Sequence, residues 1–440
     1  MKIRSVLSFS AGTLMSRALG FVREMVFAYA LGASPYADAV VVAIRIPTML
    51  RGMLAEGVSQ NAFVPVLTRW RDRGLLWALA IIILGASAAI VPLGIAFAPT
   101  IVRLIAPGFL SSPEKFNFAV AGVRITFPAL LFISASAISM GVVNTKGRFF
   151  ISGVSPVFFN LGNISLLLLA YRWPILGAAA FTFGTLLQAL FLLPFAWEGY
   201  ERPKFKHPAV REFLKNWFSM SLNTGFLQMA TLINTVVAST LPTGTLAYLS
   251  YAFRLIHLPQ GLFGVATGTV LSKSVSEDAS HGREHAWKGI VFVSLITVAV
   301  AFLYVVFGKL LIEVAFVRGR FSPEDAERTF RVLLGYVPTI PAFALSSVYL
   351  SYLFAIFRRK EANVGLVLST LTNLLLVFPA AKLLGAFGIA LTVSVANSVA
   401  VVFWALRSFG LSKESLLTIL SLATAFTMTL TAAVLLGWRP

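Results

Sequence analysis

The run LLWALAIIILGASAAIVPLGIAFA, residues 75–98, contains no charged side chain and is long enough to cross the hydrocarbon core of a bilayer as a helix. Similar apolar runs recur along the 440-residue chain, of which 58% is hydrophobic and only 12% is charged. An ordinary soluble domain carries roughly 25% charged residues. Because so few charges cannot cover a soluble protein of this size, the sequence predicts an all-α polytopic membrane protein.

About 13 transmembrane helices are predicted from runs of about 20 mostly apolar residues. They lie near 5–30, 36–66, 75–105, 117–143, 151–171, 174–197, 213–241, 245–271, 287–312, 331–357, 362–383, 386–406 and 415–437. With the N-terminus in the cytoplasm, the cytoplasmic segments hold about twice as many Lys and Arg residues as the opposite segments. This bias accounts for the net charge of +19 without a nucleic-acid partner, and it predicts a cytoplasmic N-terminus.

The second and eighth predicted spans resemble each other. Pro47 and Pro259 are each followed by a leucine three residues later and by a glycine five residues later. Both spans are the second helix of a six-helix block, which predicts lobes at 1–200 and 201–410 and an extra C-terminal helix at 411–440. Such repeats are typical of transporters, whereas chance similarity between spans that contain Gly and Pro is the alternative. The two prolines are predicted hinges.

Charged side chains inside the predicted spans are mostly basic. The six arginines are Arg17, Arg23, Arg45, Arg51, Arg124 and Arg254, and the three acids are Glu24, Asp38 and Glu56. A charge near the bilayer centre costs about 2.5–3.5 kcal/mol, so such residues usually face a cavity or a partner. Three acids cannot neutralise six arginines, and the excess suits a phosphate or diphosphate, whose oxygens accept paired hydrogen bonds from guanidinium.

These charges divide into predicted binding and supporting residues. The predicted substrate-binding residues are Arg17, Arg23, Arg51 and Arg254, and the predicted supporting charge network is Glu24, Asp38, Arg45 and Glu56. In the alternative interpretation, the same charges pair between helices or reach from span ends to the lipid headgroups. For Asp38 and Arg124, which lie near predicted span ends, the two interpretations are equally favoured.

Several of these residues also carry a family likeness. The segments SRALGFVRE (16–24), PTMLR (47–51), AEGVSQNAFVP (55–65) and SYAFRLIHLPQGLFGVA (250–266), with GRF at 319–321, resemble the MurJ/MviN lipid II flippases of the MOP exporter superfamily. The resemblance runs in order over most of the chain. It implies two six-helix lobes in a V shape around a central cationic cavity, with the C-terminal helix outside them.

The resemblance also implies a function and a set of residues. The substrate would be lipid II, the undecaprenyl-diphosphate-linked peptidoglycan precursor, exported from the cytoplasmic to the periplasmic leaflet of the bacterial inner membrane for cell-wall biogenesis. Arg17, Arg23, Asp38, Arg51 and Arg254 match cavity residues that family members need, and Glu24 stands where an acid is usual.

A coupling-ion site is only weakly indicated. Some members of this family bind sodium with acids in spans seven and eleven, where this chain offers Asn234, Ser369 and Asn373 but no carboxylate. Coupling to Na⁺ or H⁺ therefore remains open, and drive by the membrane potential is at least as well supported. No cofactor is expected. The pattern His281-Gly-Arg-Glu284-His285 spells a zinc-protease motif but lacks a third ligand, so no metal site is predicted.

Three alternatives remain open at this point. The chain could be a MOP-type exporter of another polyprenyl-linked oligosaccharide or of a drug. It could be a membrane enzyme acting on polyprenyl phosphates, although its loops lack a convincing catalytic cluster, or a scaffold without transport activity. The expected partners are lipid II and the bilayer, with no nucleic acid, and the expected state is a monomer.

Overall fold

The computed structural model describes residues 3–53, 63–278 and 280–436. Within these ranges the backbone forms helices joined by turns, with no strand, which confirms the all-α class. Seven helices of the described part are long and apolar enough to cross a membrane, or eight if the bent pair Pro323–Tyr336 and Thr339–Ala355 is one span. The count of thirteen spans stays a prediction.

The chain divides into two compact units, and the first comprises Met1–Gly244 and Arg318–Phe321. Its described helices are α1 (Ile3–Leu31), α2 (Pro35–Ala43), α3 (Arg45–Arg51), α4 (Val64–Trp70), α5 (Arg73–Ala96), α6 (Ala98–Ile105), a 3₁₀ helix (Pro107–Ser111), α7 (Pro113–Thr126), α8 (Ala129–Thr145), α9 (Phe149–Ala170), α10 (Leu176–Ala196) and α11 (Pro208–Ser239). The first compact unit therefore contains α11 together with α1–α10. The predicted lobe boundary at residue 200 stays a prediction.

The second unit comprises Thr245–Val317 and Ser322–Pro440. Its described helices are α12 (Thr245–Pro259), a π-helix (Gln260–Gly264), α13 (Val265–Glu277), α14 (Gly282–Phe316), α15 (Pro323–Tyr336), α16 (Thr339–Ala355), α17 (Arg359–Phe409) and α18 (Lys413–Leu435). With 51 residues, α17 is too long for one span. It breaks at Gly385, whose φ of 58° is left-handed, between the predicted spans 362–383 and 386–406.

A short segment from the second half of the sequence, Arg318–Phe321, packs with the first unit. The Arg320 N–H donates to the Tyr29 carbonyl at 2.9 Å, and its guanidinium donates to the Tyr171 carbonyl at 2.8 Å. The two tyrosine rings stack with their centroids 5.3 Å apart. Gly32, with φ of 57°, lies against the Arg320 backbone so closely that a Cβ would be 2.3 Å from the Arg320 carbonyl oxygen.

The helices α9 and α10 pack closely against each other at two glycines. A Cβ on Gly162 would lie 2.9 Å from the Gly184 Cα, and a Cβ on Gly184 would lie 2.5 Å from the Phe159 carbonyl oxygen. Only glycine permits this approach, as in other membrane helix pairs. In the second unit, Gly264 and Gly268 similarly pack against α16, which supports a packing role for these two glycines.

Candidate functional site

Arg23 lies in the C-terminal half of α1 and is held by two polar neighbours. Its Nη1 donates to the Oδ1 of Asn160 on α9 at 3.2 Å, and its Nη2 forms an ion pair with Glu24. The Arg23 side chain is 16% exposed. Asn160 is itself fixed, because its Nδ2 donates to the Ser16 carbonyl at 3.0 Å. Arg23 is therefore oriented across the α1–α9 contact.

The Phe159 ring brings a second arginine to the same place. The Arg23 Cζ lies 5.4 Å from the ring centroid, and the Cζ of Arg51, the last residue of α3, lies 5.8 Å from it. An aromatic face attracts cations at such distances. Phe159 is 7% exposed, and its carbonyl accepts a hydrogen bond from Asn163 at 3.1 Å. We call Arg23, Glu24, Arg51, Phe159 and Asn160 the Phe159 cluster.

This cluster contains two residues that the sequence analysis did not select. Phe159 and Asn160 lie in an apolar span that was treated only as a membrane helix. The signal available was the pair Asn160 and Asn163, because amides are costly in a span and usually bind a partner. Chemically, two guanidinium groups at one ring offer forked donors that match phosphate oxygens.

Asp38 lies in a different and closed environment. Asp38 is 1% exposed, and its carboxylate pairs with Lys115 Nζ at 2.7 Å and accepts the Gly244 N–H at 2.8 Å. The Lys115 ammonium also lies 4.3 Å from the Phe109 ring centroid. Lys115 was missed because the predicted span began at residue 117, whereas α7 begins at Pro113. A proline after Ser112 is a helix-start signal that would have included Lys115 in the helix.

The other predicted charges differ in their exposure. Arg17 on α1, Arg124 on α7 and Arg254 on α12 are exposed, and Arg45 is partly buried at the start of α3. Glu56 lies outside the described residues.

Both predicted hinge prolines lie at interruptions in their helices. Pro47 is buried in α3, which is separated from α2 by Ile44. Pro259 ends α12, and the π-helix Gln260–Gly264 follows it. Just before the second break, the His257 ring bonds Gln260 Oε1 through Nδ1 at 2.6 Å and stacks on Phe343.

The three residues of the weakly indicated ion site are distributed over both units. Asn234 lies on α11 of the first unit, while Ser369 and Asn373 lie one turn apart on α17 of the second. The Oδ1 atoms of both asparagines are buried and accept no hydrogen bond from any described residue. Within residues 3–53, 63–278 and 280–436, no group of three or more His, Asp and Glu could hold a metal ion.

Two turn carboxylates outside the spans show how local partners shift a pKa. Hydrogen bonds from Ser280 and His281 lower the pKa of Asp278 to about 2. The ammonium of Lys204 donates to Asp72 at 2.8 Å, and this bond, with the Leu75 N–H, lowers the pKa of Asp72. Both carboxylates are therefore ionised at neutral pH.

Comparison with known proteins places the chain in a family. A family model described as "Lipid II flippase MurJ" matches residues 27–439. A Vibrio cholerae protein described as "Probable lipid II flippase MurJ" is 35% identical over 377 residues, which are 79% of this chain and 71% of the relative. The solved structure "Lipid II flippase MurJ, inward closed conformation" matches with a TM-score of 0.85 at 27% identity, covering 96% of this chain and 92% of that one.

A more distant structure shares the fold. An inward-facing multidrug resistance MATE family transporter of the MOP superfamily matches with a TM-score of 0.69 at 15% identity, covering 97% of this chain and 98% of that one. The match to the family model spans nearly the whole chain and includes the resembling segments 47–51, 55–65, 250–266 and 319–321. The chain therefore belongs to the MurJ family.

Proposed function

We propose that this protein flips lipid II from the cytoplasmic to the periplasmic leaflet of the bacterial inner membrane. The observation that carries the proposal is the approach of Arg23 and Arg51 to one Phe159 ring in a chain of the MurJ family. Lipid II carries a diphosphate between its polyprenyl tail and its sugar headgroup. The reaction moves this lipid without covalent change, so the protein acts as a transporter.

The Phe159 cluster supports binding of the diphosphate. The guanidinium forks of Arg23 and Arg51 would donate to diphosphate oxygens while the polyprenyl tail stays in the bilayer. Glu24 and Asn160 hold Arg23 in place, so less conformational freedom is lost when the ligand binds. Arg17 and Arg254, both exposed on their helices, are proposed as further cations required for transport.

Alternating access would carry the headgroup across, with the N-terminus in the cytoplasm. We propose that the membrane potential drives the cycle, because the Asn234, Ser369 and Asn373 set contains no carboxylate. An unloaded cationic site is drawn toward a negative interior with a free energy of about 2.3 kcal/mol per charge per 100 mV. After the anionic lipid leaves on the outer side, the potential would favour return of the empty site.

The test is flipping of labelled lipid II by the full chain in liposomes. We expect Arg254→Ala to abolish flipping at normal protein levels and Arg254→Lys to retain part of it, since lysine keeps the charge but not the fork. Arg103→Ala is the matched control, because Arg103 is an exposed arginine on α6 outside the proposed site.

Two further measurements test the substrate and the driving force separately. Unlabelled lipid II should compete better than polyprenyl diphosphates that carry other sugars, and an inside-negative potential should raise the rate. Normal flipping by Arg254→Ala, or equal competition by every polyprenyl diphosphate, would contradict the proposal.

A further inference from the structure

Each of the two helix breaks contains a carbonyl that a proline deprives of its usual donor. In a continuous helix the N–H of residue 47 would bond the carbonyl of residue 43, and the N–H of residue 259 would bond that of residue 255. Proline has no N–H, so Pro47 and Pro259 leave the carbonyls of Ala43 and Leu255 without this partner. A buried carbonyl needs another donor, because leaving it unsatisfied is costly.

In the first unit, the donor for Ala43 comes from α7. The Thr126 hydroxyl lies 2.8 Å from the Ala43 carbonyl oxygen, and Thr126 is 0% exposed. The approach of α7 to α2 depends on Gly122, one turn earlier, where an added Cβ would lie 2.9 Å from the Ala43 Cβ. The small residue and the hydroxyl therefore act together at the proline break.

The Thr126 hydroxyl also has a second acceptor within its own helix. It lies 3.1 Å from the Val123 carbonyl oxygen, three residues earlier. A hydroxyl has one proton, so a full hydrogen bond to Ala43 and a full hydrogen bond to Val123 exclude each other. If the break between α2 and α3 changes shape, the Thr126 hydroxyl can rotate and donate to the Val123 carbonyl instead.

In the second unit, the donor for Leu255 comes from α14. The Tyr304 hydroxyl donates to the Leu255 carbonyl oxygen at 2.9 Å, and Leu255 is 0% exposed. The freed carbonyl lies next to Arg254, while in the first unit Arg51 follows Pro47 by four residues. In both units, the break at which a hydroxyl binds the freed carbonyl adjoins a helix that carries a proposed substrate-binding arginine.

We propose that Thr126 and Tyr304 are positioning residues for transport, because each hydroxyl satisfies the carbonyl that a hinge proline frees and so holds the backbone at the break beside an arginine-bearing helix. The inference rests on the proposed flippase function, since it assigns both hydroxyls to that transport cycle. Neither residue needs to touch the substrate. Loss of either hydroxyl should lower the maximal flipping rate more than it weakens the apparent affinity for lipid II.

The first experiment is a double-mutant cycle on the full chain between Thr126→Val and Pro47→Ala. Valine keeps the shape of threonine without the hydroxyl, and alanine restores the backbone N–H that Ala43 lacks. We expect Thr126→Val to lower the flipping rate about tenfold with Pro47 present and by less than about twofold in the Pro47→Ala background. Thr126→Ser should retain the rate. Equal losses in the two backgrounds would overturn the proposal.

Matched controls remove the same groups elsewhere. Thr185→Val deletes a buried hydroxyl that donates to the Thr182 carbonyl in its own helix, and Tyr349→Phe deletes one that pairs with the Thr418 hydroxyl. Tyr304→Phe should slow flipping more than Tyr349→Phe does. Equal effects of these two variants would contradict the role of Tyr304.

The same cycle measured by thermal unfolding needs no lipid II. Coupling between Thr126 and Pro47 in both measurements supports the proposal, and coupling in stability alone overturns the transport role of the hydroxyl. Normal flipping by Arg254→Ala would contradict the flippase function but would not change the Thr126–Pro47 coupling measured by thermal unfolding. Failure of the flippase function and failure of the role of Thr126 can therefore be told apart.

Discussion

The first unit contains two groups of charged residues that are built in opposite ways. Asp38 and Lys115 are both less than 10% exposed and bind each other directly, and Asp38 takes a further bond from the Gly244 N–H. In the Phe159 cluster, two arginines share one aromatic ring, and both keep some exposed surface. The first group pairs one cation with one anion, whereas the second holds two arginines and a single acid, Glu24.

This difference separates two uses of charge in a membrane protein. A buried ion pair holds helix ends together, and removing one partner strands the other charge. A partly exposed arginine held by an amide and an aromatic ring can exchange water for an anionic ligand. Stability and transport should therefore respond to different residues, and the following predictions test that separation.

The largest effect on stability is expected for Lys115→Met. Removing the ammonium leaves the Asp38 carboxylate buried without its cation, which costs about 3–5 kcal/mol of unfolding free energy. Chemical unfolding of the detergent-purified protein measures it, and the double variant Asp38→Asn/Lys115→Met should recover part of the loss. Lys204→Met, which breaks the exposed pair with Asp72, is the control and should cost less. Equal losses from both lysine variants would show that the buried pair is not special.

Arg51→Ala should lower the flipping rate strongly and the stability little, in contrast to Lys115→Met. Hydrogen bonds to charged groups contribute about 1.5–3 kcal/mol each, so flipping should fall about tenfold to a hundredfold while the unfolding midpoint changes little. Arg124→Ala removes an exposed arginine from α7 and should leave flipping intact. A stability loss as large as that of Lys115→Met would mean that Arg51 is structural.

A smaller effect is expected for Phe159→Leu, which keeps apolar volume but removes the ring shared by Arg23 and Arg51. The lost cation–π attraction is about 1 kcal/mol, and it should appear as weaker binding of lipid II in a binding assay. Phe158→Leu is the matched control, because the Phe158 ring stacks on Phe191 instead. Binding that weakens equally in both variants would remove the special role of Phe159.

The smallest effect is expected at the start of α5, outside the spans. Asp72 caps this helix through the Leu75 N–H at 2.9 Å, so Asp72→Ala should cost about 1 kcal/mol of unfolding free energy. Asp72→Asn keeps the cap and should cost less. Because its folded pKa is lowered, Asp72 adds stability above its unfolded pKa of about 3.9 and loses it as pH falls through the folded value. Acid titration of the unfolding midpoint, with Asp72→Asn as reference, should show this loss.

Some parts of the site could be read from local sequence. Pro47 and Pro259 lie at two helix interruptions, as the missing backbone donor of proline favours. Proline alone does not decide this, because Pro92 and Pro156 lie inside continuous helices. Arg23 and Arg51 stand out because a guanidinium in an apolar span needs a partner or a cavity. The partners themselves could not be read, since Asn160 is 137 residues from Arg23 and Lys115 is 77 residues from Asp38.

The sequence by itself determined the all-α membrane class and the residues that carry the charge, because hydropathy, proline and ionisation are properties of single residues and short runs. Only the tertiary structure decided which charged side chains are buried in ion pairs and which keep exposed surface. Helix rotation and approach distance decide this, and they depend on close contacts such as Gly122 against Ala43 and Gly184 against α9. An interhelical hydrogen bond needs both to be right within a few tenths of an ångström, which no local pattern specifies.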